Sequence, residues 1–485
     1  MIYAGLDIGT TGTKITLFDG ANELITFYEK YNSKRTAFND EIDANIIFDA
    51  VIKVINQAIK YNDNLGYIGV TSFGETFVLL DKEDNILLPS ILYNDVRGKA
   101  EVKEINEKIG EDRVGKITGL LTHEMFSLPK LLYIKNNYKD VYNKISKILL
   151  IEDFIVYKLT GIRQIDYSLA SRTMLFDINK LEWSDELFNA FNLDKNKFST
   201  PVKSGTVAGN IKKIYGFSKD IKIISVSHDQ FSVAIGSGLT KFNDAIDGCG
   251  TCECFIPLFK EIPTNNKMYK NGFGIIPYSF ANAYISYPLI FSGGALIEWF
   301  INNLCINIEN PLTKFDKEIN TSIPSKLLIS PHFLGSGTPY MNSYSLGNIY
   351  GLNISTTLKD IYQGILEGVA YEMLLNIEIL KECGIKINHI YANGGGSKNE
   401  NWLQIKANIL NIPITKILNH NAGTVGSAII VGTTIGEFNN IDDGINKLVK
   451  FGKTYYPDKL AHKEYMKLFK LYKKINNKKI KLESF

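Results

Sequence analysis

Tyr3-Ala-Gly-Leu-Asp-Ile-Gly-Thr-Thr-Gly-Thr-Lys-Ile-Thr-Leu-Phe18 is the stretch on which the reading of this chain turns. An apolar run, Tyr3 to Leu6, leads into Asp7-Ile8-Gly9-Thr10-Thr11-Gly12-Thr13, and a β-branched run, Ile15 to Phe18, leads out. Two strand-like segments about a Gly/Thr turn predict a β-hairpin. Gly9 and Gly12 permit backbone conformations that aim several N–H groups at one point, and the threonine hydroxyls add donors. Such a concavity suits an anion, most obviously a phosphate. Asp7, at the end of the first strand, is placed to hold a hydrated Mg²⁺ against phosphate oxygens. The same pattern fits a polar hairpin with a structural aspartate, so the rest of the chain has to decide.

The chain has 485 residues, too many for one hydrophobic core, and two or more domains are expected. Its 45% hydrophobic and 22% charged residues are ordinary for a soluble protein. A formal charge of +3 demands no polyanionic partner. No basic arm interleaved with aromatics is present, so nucleic acid is not an expected ligand. No charged-then-apolar leader precedes the first strand, and no apolar run reaches the ~18 residues of a membrane helix. The expected location is the cytoplasm, with no membrane partner. Five cysteines, an odd and sparse set, fit a reducing compartment. Cys249-x-x-Cys252-x-Cys254 has a metal-like spacing on a strand-like run. No His or Cys cluster nearby completes a tetrahedral site, so small buried thiols are expected there.

Outward from the hairpin, Asp43 to Tyr61 has helical apolar spacing, with Asp43 placed to cap it. Tyr67–Ser72 and Phe77–Leu80 read as short strands, and residues 98–200 as mostly helical. Ile221–Ser227 is a buried strand ending in Ser227-His228-Asp229-Gln230, with a helix from Phe231 to Gly236. A polar cluster at the carboxyl end of a buried strand is where open α/β folds place ligands. Asp229 there also suits a helix N-cap.

Asp244-Ala-Ile-Asp-Gly-Cys-Gly-Thr-Cys-Glu-Cys-Phe-Ile-Pro257 repeats the opening pattern, with Gly250-Thr251 aligned on Gly9-Thr10. A chain that restarts its architecture at the halfway point predicts two similarly built domains, 1–241 and 242–485, with the two hairpins facing across a cleft. Strands are expected near 273–279 and 283–290, and helices over Gly293–Asn303 and Thr357–Cys383. The Thr357–Cys383 helix shows an apolar stripe, with Gly384 just past its end. A strand, Ile387–Ala392, enters the Gly-rich Asn393–Asn399 and the helix Asn399–Leu410, where a ligand can approach backbone closely. The Lys-rich last 40 residues read as a solvated amphipathic helix.

Taken together, the three Gly-rich turns and Asp229 resemble the FGGY family of carbohydrate kinases, within the superfamily that includes actin and the heat-shock chaperone ATPases. The similar stretches are Asp7–Thr11, Tyr93-Asn-Asp-Val-Arg97, His228-Asp-Gln230, Gly250-Thr251 and Ser292-Gly-Gly-Ala-Leu-Ile-Glu-Trp299. Further on come Gly335-Ser-Gly-Thr-Pro339, Leu366–Ala370, Asn393–Asn399 and Gly426-Ser-Ala428. The resemblance implies an α/β, two-domain actin-like ATPase (ribonuclease H-like) fold with an interdomain cleft. It implies ATP-dependent phosphorylation of a small sugar, with ATP and Mg²⁺ as cofactors and a homodimer as a compatible assembly.

By position, Asp229 matches the family's catalytic base. Thr10, Thr11, Gly250 and Thr251 match phosphate contacts, and Asp7 the metal-associated carboxylate. Gly294, Glu298, Gly395 and Asn399 fall where the family has adenosine-pocket residues. The sugar side departs from the pattern. Glycerol kinases show Arg-Glu and xylulokinases Met-His where this chain has Phe73-Gly74-Glu75-Thr76, which is neither. Glu75, Asn94, Asp95 and Arg97 are the expected hydroxyl-binding groups, with Asp229, and Tyr93 stands where many members have Trp. Gly335–Tyr340 resembles the xylulokinase side, which favours a ketose such as xylulose. The alternatives are a polyol kinase of glycerol kinase type, or a non-catalytic nucleotide-switched protein of the actin or chaperone type. A chaperone would need a large extra peptide-binding domain, and a sugar-sensing regulator a basic helix-turn-helix; neither pattern is present.

Overall fold

A computed structural model describes residues 1–36, 39–217 and 220–477. The opening hairpin forms as expected: β1 (Ile2–Ile8) pairs antiparallel with β2 (Gly12–Asp19), with Leu6 opposite Ile15 and Ile8 opposite Thr13. β3 (Asn22–Lys30) extends it antiparallel on β2. On its other side β1 runs parallel to β4 (Leu65–Ser72). Beyond β4, β5 (Thr206–Asn210) and β6 (Lys222–His228) complete six strands in the order β5-β6-β4-β1-β2-β3. Strands in the parallel centre are covered on both faces, which is why β1 reads as a continuous apolar run broken only by Asp7. Helix α1 (Ala44–Tyr61) is capped by Asp43, which accepts from the Asn45 N–H, and buries Ile47, Val51, Val54 and Ile55. Residues 98–200 are mostly helical, including Lys99–Lys108, Ser127–Asn137, Ile151–Thr160 and Tyr167–Ser171. Helix α2 (Asp229–Gly236) leaves directly from the end of β6.

The second half repeats this plan. β7 (Asp244–Cys249) and β8 (Glu253–Phe259) form the second hairpin, with Cys249 opposite Glu253. The Cys249–Cys254 run is therefore strand, turn, strand rather than one strand. Cys249 is buried, while Cys252 and Cys254 are half-buried. The expected strand pair 273–290 resolves into three shorter pieces, β9 (Ile276–Tyr278), β10 (Ala283–Ile285) and β11 (Leu289–Ile290), the last set off by Pro288. With β12 (His389–Asn393), β13 (Ile414–Ile417) and β14 (Phe451–Tyr455) the order is β9-β10-β8-β7-β12-β13-β14, β11 pairing with β8 off this path. The centres of the two sheets match. β3-β2-β1-β4-β6 and β10-β8-β7-β12-β13 each run through two antiparallel and then two parallel pairings.

Helices α3 (Gly294–Leu304), α4 (Leu358–Glu382), α5 (Glu400–Leu410), α6 (Ala422–Thr434) and α7 (Lys459–Asn477) complete the frame. Thr357 and Asp360 form a reciprocal capping box at the start of α4. Every residue from Tyr362 to Asn376 is buried, so this helix is enclosed on all sides rather than along one stripe. In α7, Ala461, Tyr465, Phe469 and Tyr472 form the buried face of the amphipathic helix; its continuation past residue 477 lies outside the described residues.

α6 crosses α2 so closely that side chains are excluded. A Cβ on Gly426 would lie 1.8 Å from the Ser232 carbonyl oxygen, and one on Gly236 would lie 1.9 Å from that of Ala422. α6 also reaches the first sheet, where Thr424 Oγ1 meets Thr16 Oγ1 at 2.7 Å and Ser427 Oγ donates to the Gly69 carbonyl at 3.0 Å. A shared core of Tyr3, Val226, Ile246, Ile256 and Ile429 lies around this helix pair. Burial of this apolar surface on both sides joins the halves while leaving a cleft along one edge.

Candidate active site

Both Gly/Thr turns open into one cavity of about 580 Å³. Gly9, Thr10 and Thr11 line it from the first half, and Gly250, Cys252, Asn393 and Gly394 from the second. The first turn closes with the Gly9 N–H on the Gly12 carbonyl at 3.0 Å, and Tyr31 Oη braces it by donating to the Gly9 carbonyl at 2.6 Å. In the second turn the Gly250 N–H donates to the Gly248 and Cys252 carbonyls at 3.0 and 3.1 Å.

Asp229 lies in the wall between them. Asp229 is the first residue of α2, and His228, not Asp229, is the N-cap: its Nδ1 accepts from the Gln230 N–H at 3.3 Å. The same Gln230 N–H also donates to Asp229 Oδ1 at 2.5 Å, and the Asp229 side chain, 24% exposed, lines the cavity. Burial, and then the charge of Asp7, push this carboxyl up to about 8. His228 is driven well below its usual range by burial and by Arg172, so its ring is neutral. The 3.2 Å contact between His228 Nδ1 and Asp229 Oδ1 is accordingly not an ion pair; it is satisfied when Asp229 carries the proton.

The cavity floor is charged and paired. Arg172 Nε donates to Glu75 Oε1 at 2.6 Å, and Nη2 reaches the same oxygen. Phe126 and Tyr287 flank the guanidinium, at 5.0 and 5.6 Å from their ring centroids, and Tyr287 also stacks on His228 at 5.2 Å. Gly74 makes room for this arrangement: a Cβ there would lie 2.7 Å from His228 Cδ2 and 3.3 Å from Arg172 Cγ. Tyr93, His123 and Met341 complete the wall around this floor.

Of the residues singled out from sequence, Thr10, Thr11, Glu75, Asp229 and Gly250 meet at this cavity, with Thr251 exposed on the second turn. Asp7 stands behind the first turn. Its carboxyl is raised by burial, and no donor among the described residues bonds to it. Asn94, Asp95 and Arg97 are not in the wall. Asp95 takes the Arg97 fork at 2.9 and 2.7 Å, Arg97 Nη1 continues to Glu41 at 2.7 Å, and Asn94 donates to Asp40 at 2.7 Å. Burial raises Asp95, and the Arg97 bonds more than offset it, so this carboxyl sits below its usual range with its lone pairs committed. Their segment presents Tyr93 to the cavity instead. Gly294 abuts the second turn, its N–H donating to the Gly250 carbonyl at 2.9 Å. Glu298 is exposed further along α3, and Gly395 is exposed with open space around it. Asn399 caps α5 and donates to Asp316 and Tyr362 at 3.0 and 2.8 Å. Arg172, Tyr287 and His123 were not legible in sequence, since each stands outside any Gly-rich or strand-end pattern.

Duplicated sheets with facing Gly/Thr turns and a carboxyl between them define a two-domain, actin-like ATPase fold. The comparisons narrow the class. Two family models match: "FGGY family of carbohydrate kinases, N-terminal domain" over residues 2–236, and the C-terminal domain over residues 250–434. The chain belongs to the FGGY family of carbohydrate kinases and is an ATP-dependent phosphotransferase. It is 29% identical over 483 residues to a xylulose kinase of Staphylococcus xylosus, covering 97% of this chain and 99% of that one. It is also 29% identical over 456 residues to a glycerol kinase of Pseudothermotoga lettingae, covering 89% of each. The crystal structure of ligand-bound xylulose kinase from Lactobacillus acidophilus superposes with a TM-score of 0.90 at 23% identity, covering 98% of both chains. No described helix is long and apolar enough to cross a membrane.

Proposed function

We propose that the cleft transfers the γ-phosphate of ATP to a hydroxyl of a small neutral sugar, a ketose such as xylulose. The observation that carries this reading is Asp229, at the start of α2, held in one cavity with both Gly/Thr turns and the Glu75–Arg172 floor. The turns, through Thr10, Thr11, Gly250 and Thr251, cradle the phosphates. Gly294, Glu298, Gly395 and Asn399, which match the family's adenosine-pocket positions, are assigned to the nucleotide side beyond the second turn. In its ionised form, Asp229 accepts the proton of the attacking hydroxyl, a transfer that comes late in a loose phosphoryl-transfer transition state. Glu75 receives sugar hydroxyls through the oxygen Arg172 leaves open, and Asn94, Asp95 and Arg97 act one step back by fixing Tyr93.

The Mg²⁺ site fits the residues present. Asp7 is a half-buried carboxylate that accepts no hydrogen bond from the described residues, beside the turn where phosphate oxygens would arrive. Asp7 would hold a hydrated Mg²⁺ there, which would supply positive charge to the phosphates. In this division of labour residues 1–241 supply the sugar floor and the base, and residues 242–485 the nucleotide side, with α6 as the joint.

One observation favours a second reading, a polyol kinase of glycerol kinase type: the cavity floor brings together, from two separate segments, an Arg and a Glu, the residue types that glycerol kinases show side by side in sequence. ADP release measured across ketoses, aldoses, glycerol and aldonates separates the two. Turnover on a ketose supports the first reading, and turnover on glycerol alone replaces it with the second.

A further inference from the structure

Behind the second turn lies a charged cluster that the proposed chemistry does not use. Lys406, on α5, is fully enclosed, with 0% of its side chain exposed. Its Nζ donates to Asp247 Oδ2 at 2.7 Å and Glu253 Oε1 at 3.0 Å, sits 3.4 Å from Cys249 Sγ, and lies 4.1 Å from the Trp402 ring centroid. The ligand atoms of Asp247, Cys249 and Glu253 come within 4.8 Å of one another, a grouping that could otherwise hold a metal. The Lys406 ammonium fills that space and supplies the cation instead. Asp247 lies near the end of β7 and Glu253 begins β8, so Lys406 bridges the two legs of the hairpin whose tip is Gly250–Cys252. Backbone presses on the same stem from two more sides. A Cβ on Gly394 would lie 2.6 Å from the Cys249 carbonyl oxygen, and one on Gly293 would lie 3.0 Å from Glu253 Cγ.

We propose that Lys406 is a positioning residue for nucleotide binding: by tying Asp247 to Glu253 it holds the second turn in the one shape that receives phosphate. Removing a buried cation from between two carboxylates lets the legs separate, and the N–H groups at the tip lose their common aim. The inference rests on the reading of Gly250–Cys252 as a phosphate site. It adds the element that pre-forms that site, and α5 as the helix that couples the turn to the Gly-rich loop after β12.

The test is Lys406→Met in the full chain, with ADP and adenosine affinities measured by calorimetry and the sugar KM by steady-state kinetics. ADP affinity is expected to fall about ten- to a hundredfold, the range seen when the support of a binding group is removed. Adenosine affinity and sugar KM should stay within about twofold. If that variant does not fold, Lys406→Met combined with Asp247→Asn and Glu253→Gln removes the cation and both carboxylates it ties, and carries the same expectation. Unchanged ADP affinity, or equal losses for ADP and adenosine, overturns the proposal. Thr251→Val separates the two levels. If it weakens ADP while Lys406→Met does not, only the role of Lys406 falls; if neither weakens ADP, the turn is not a phosphate site.

Discussion

Arg172 and Glu75, 97 positions apart, meet in the cavity floor with Arg172 Nε 2.6 Å from Glu75 Oε1. Both side chains are at most 8% exposed. Glu75 holds a left-handed backbone, φ 65°, that turns its carboxylate toward the guanidinium. Arg172→Met strands a buried carboxylate and is expected to cost about 3–5 kcal/mol of stability. Pairing it with Glu75→Leu should restore most of that stability in urea melts but not the sugar kcat/KM. Recovery of activity in the double variant would remove the pair from the sugar site.

Asp229→Asn keeps the shape of the wall and removes the base. Turnover should fall about 10²–10⁴-fold, with ADP affinity unchanged by calorimetry. Loss of ADP binding in parallel with turnover would instead assign Asp229 a structural role.

The ionisation of Asp229 is a separate prediction. Burial and the Asp7 charge both disfavour its anion, which places the unliganded carboxyl at about 8. The proton is therefore bound below that pH and leaves as pH rises through it. Carbon-13 NMR of labelled aspartate carboxyls in the unliganded protein should show two titrations near that value, one from Asp153, which burial also pushes up to about 8, and one that disappears in Asp229→Asn. Asp7→Asn removes the like charge and should move the Asp229 titration to lower pH. An Asp229 titration at the ordinary aspartate position would contradict the burial argument.

The two hairpins were legible because their signals are local: a Gly/Thr turn between β-branched runs fixes pairing within about a dozen residues. The end of α4 just before Gly384 and the helix from Asp43 were readable for the same reason. What the sequence hid is long-range. Lys406 carries no local signal of its role, and only the return of Asp247 and Glu253 from another segment makes it a core residue. Asp95 and Arg97 read as hydroxyl binders because a carboxylate and a guanidinium suit sugars; that they are spent on each other follows from contacts between side chains, not from spacing. Likewise nothing near Thr424 announces that α6 will rest on Thr16 of the first sheet.

That helix crossing yields a stability prediction. Gly426→Ala puts a methyl group where the Ser232 carbonyl stands and should cost about 1–3 kcal/mol or more, lowering the midpoint of thermal unfolding. Gly395→Ala, where a Cβ meets nothing within 4 Å, serves as the control and should leave the midpoint in place. Equal effects from the two would mean that the α2–α6 contact does not limit stability.

Transfer of label from [γ-³²P]ATP to sugar is the most direct measurement of whether this cleft primes an alcohol for phosphorylation. With Mg²⁺ and a ketose such as xylulose, the wild-type chain should move label into a phosphorylated sugar, and Asp229→Asn should not. Label recovered only as inorganic phosphate, or equal transfer by both proteins, would contradict the account.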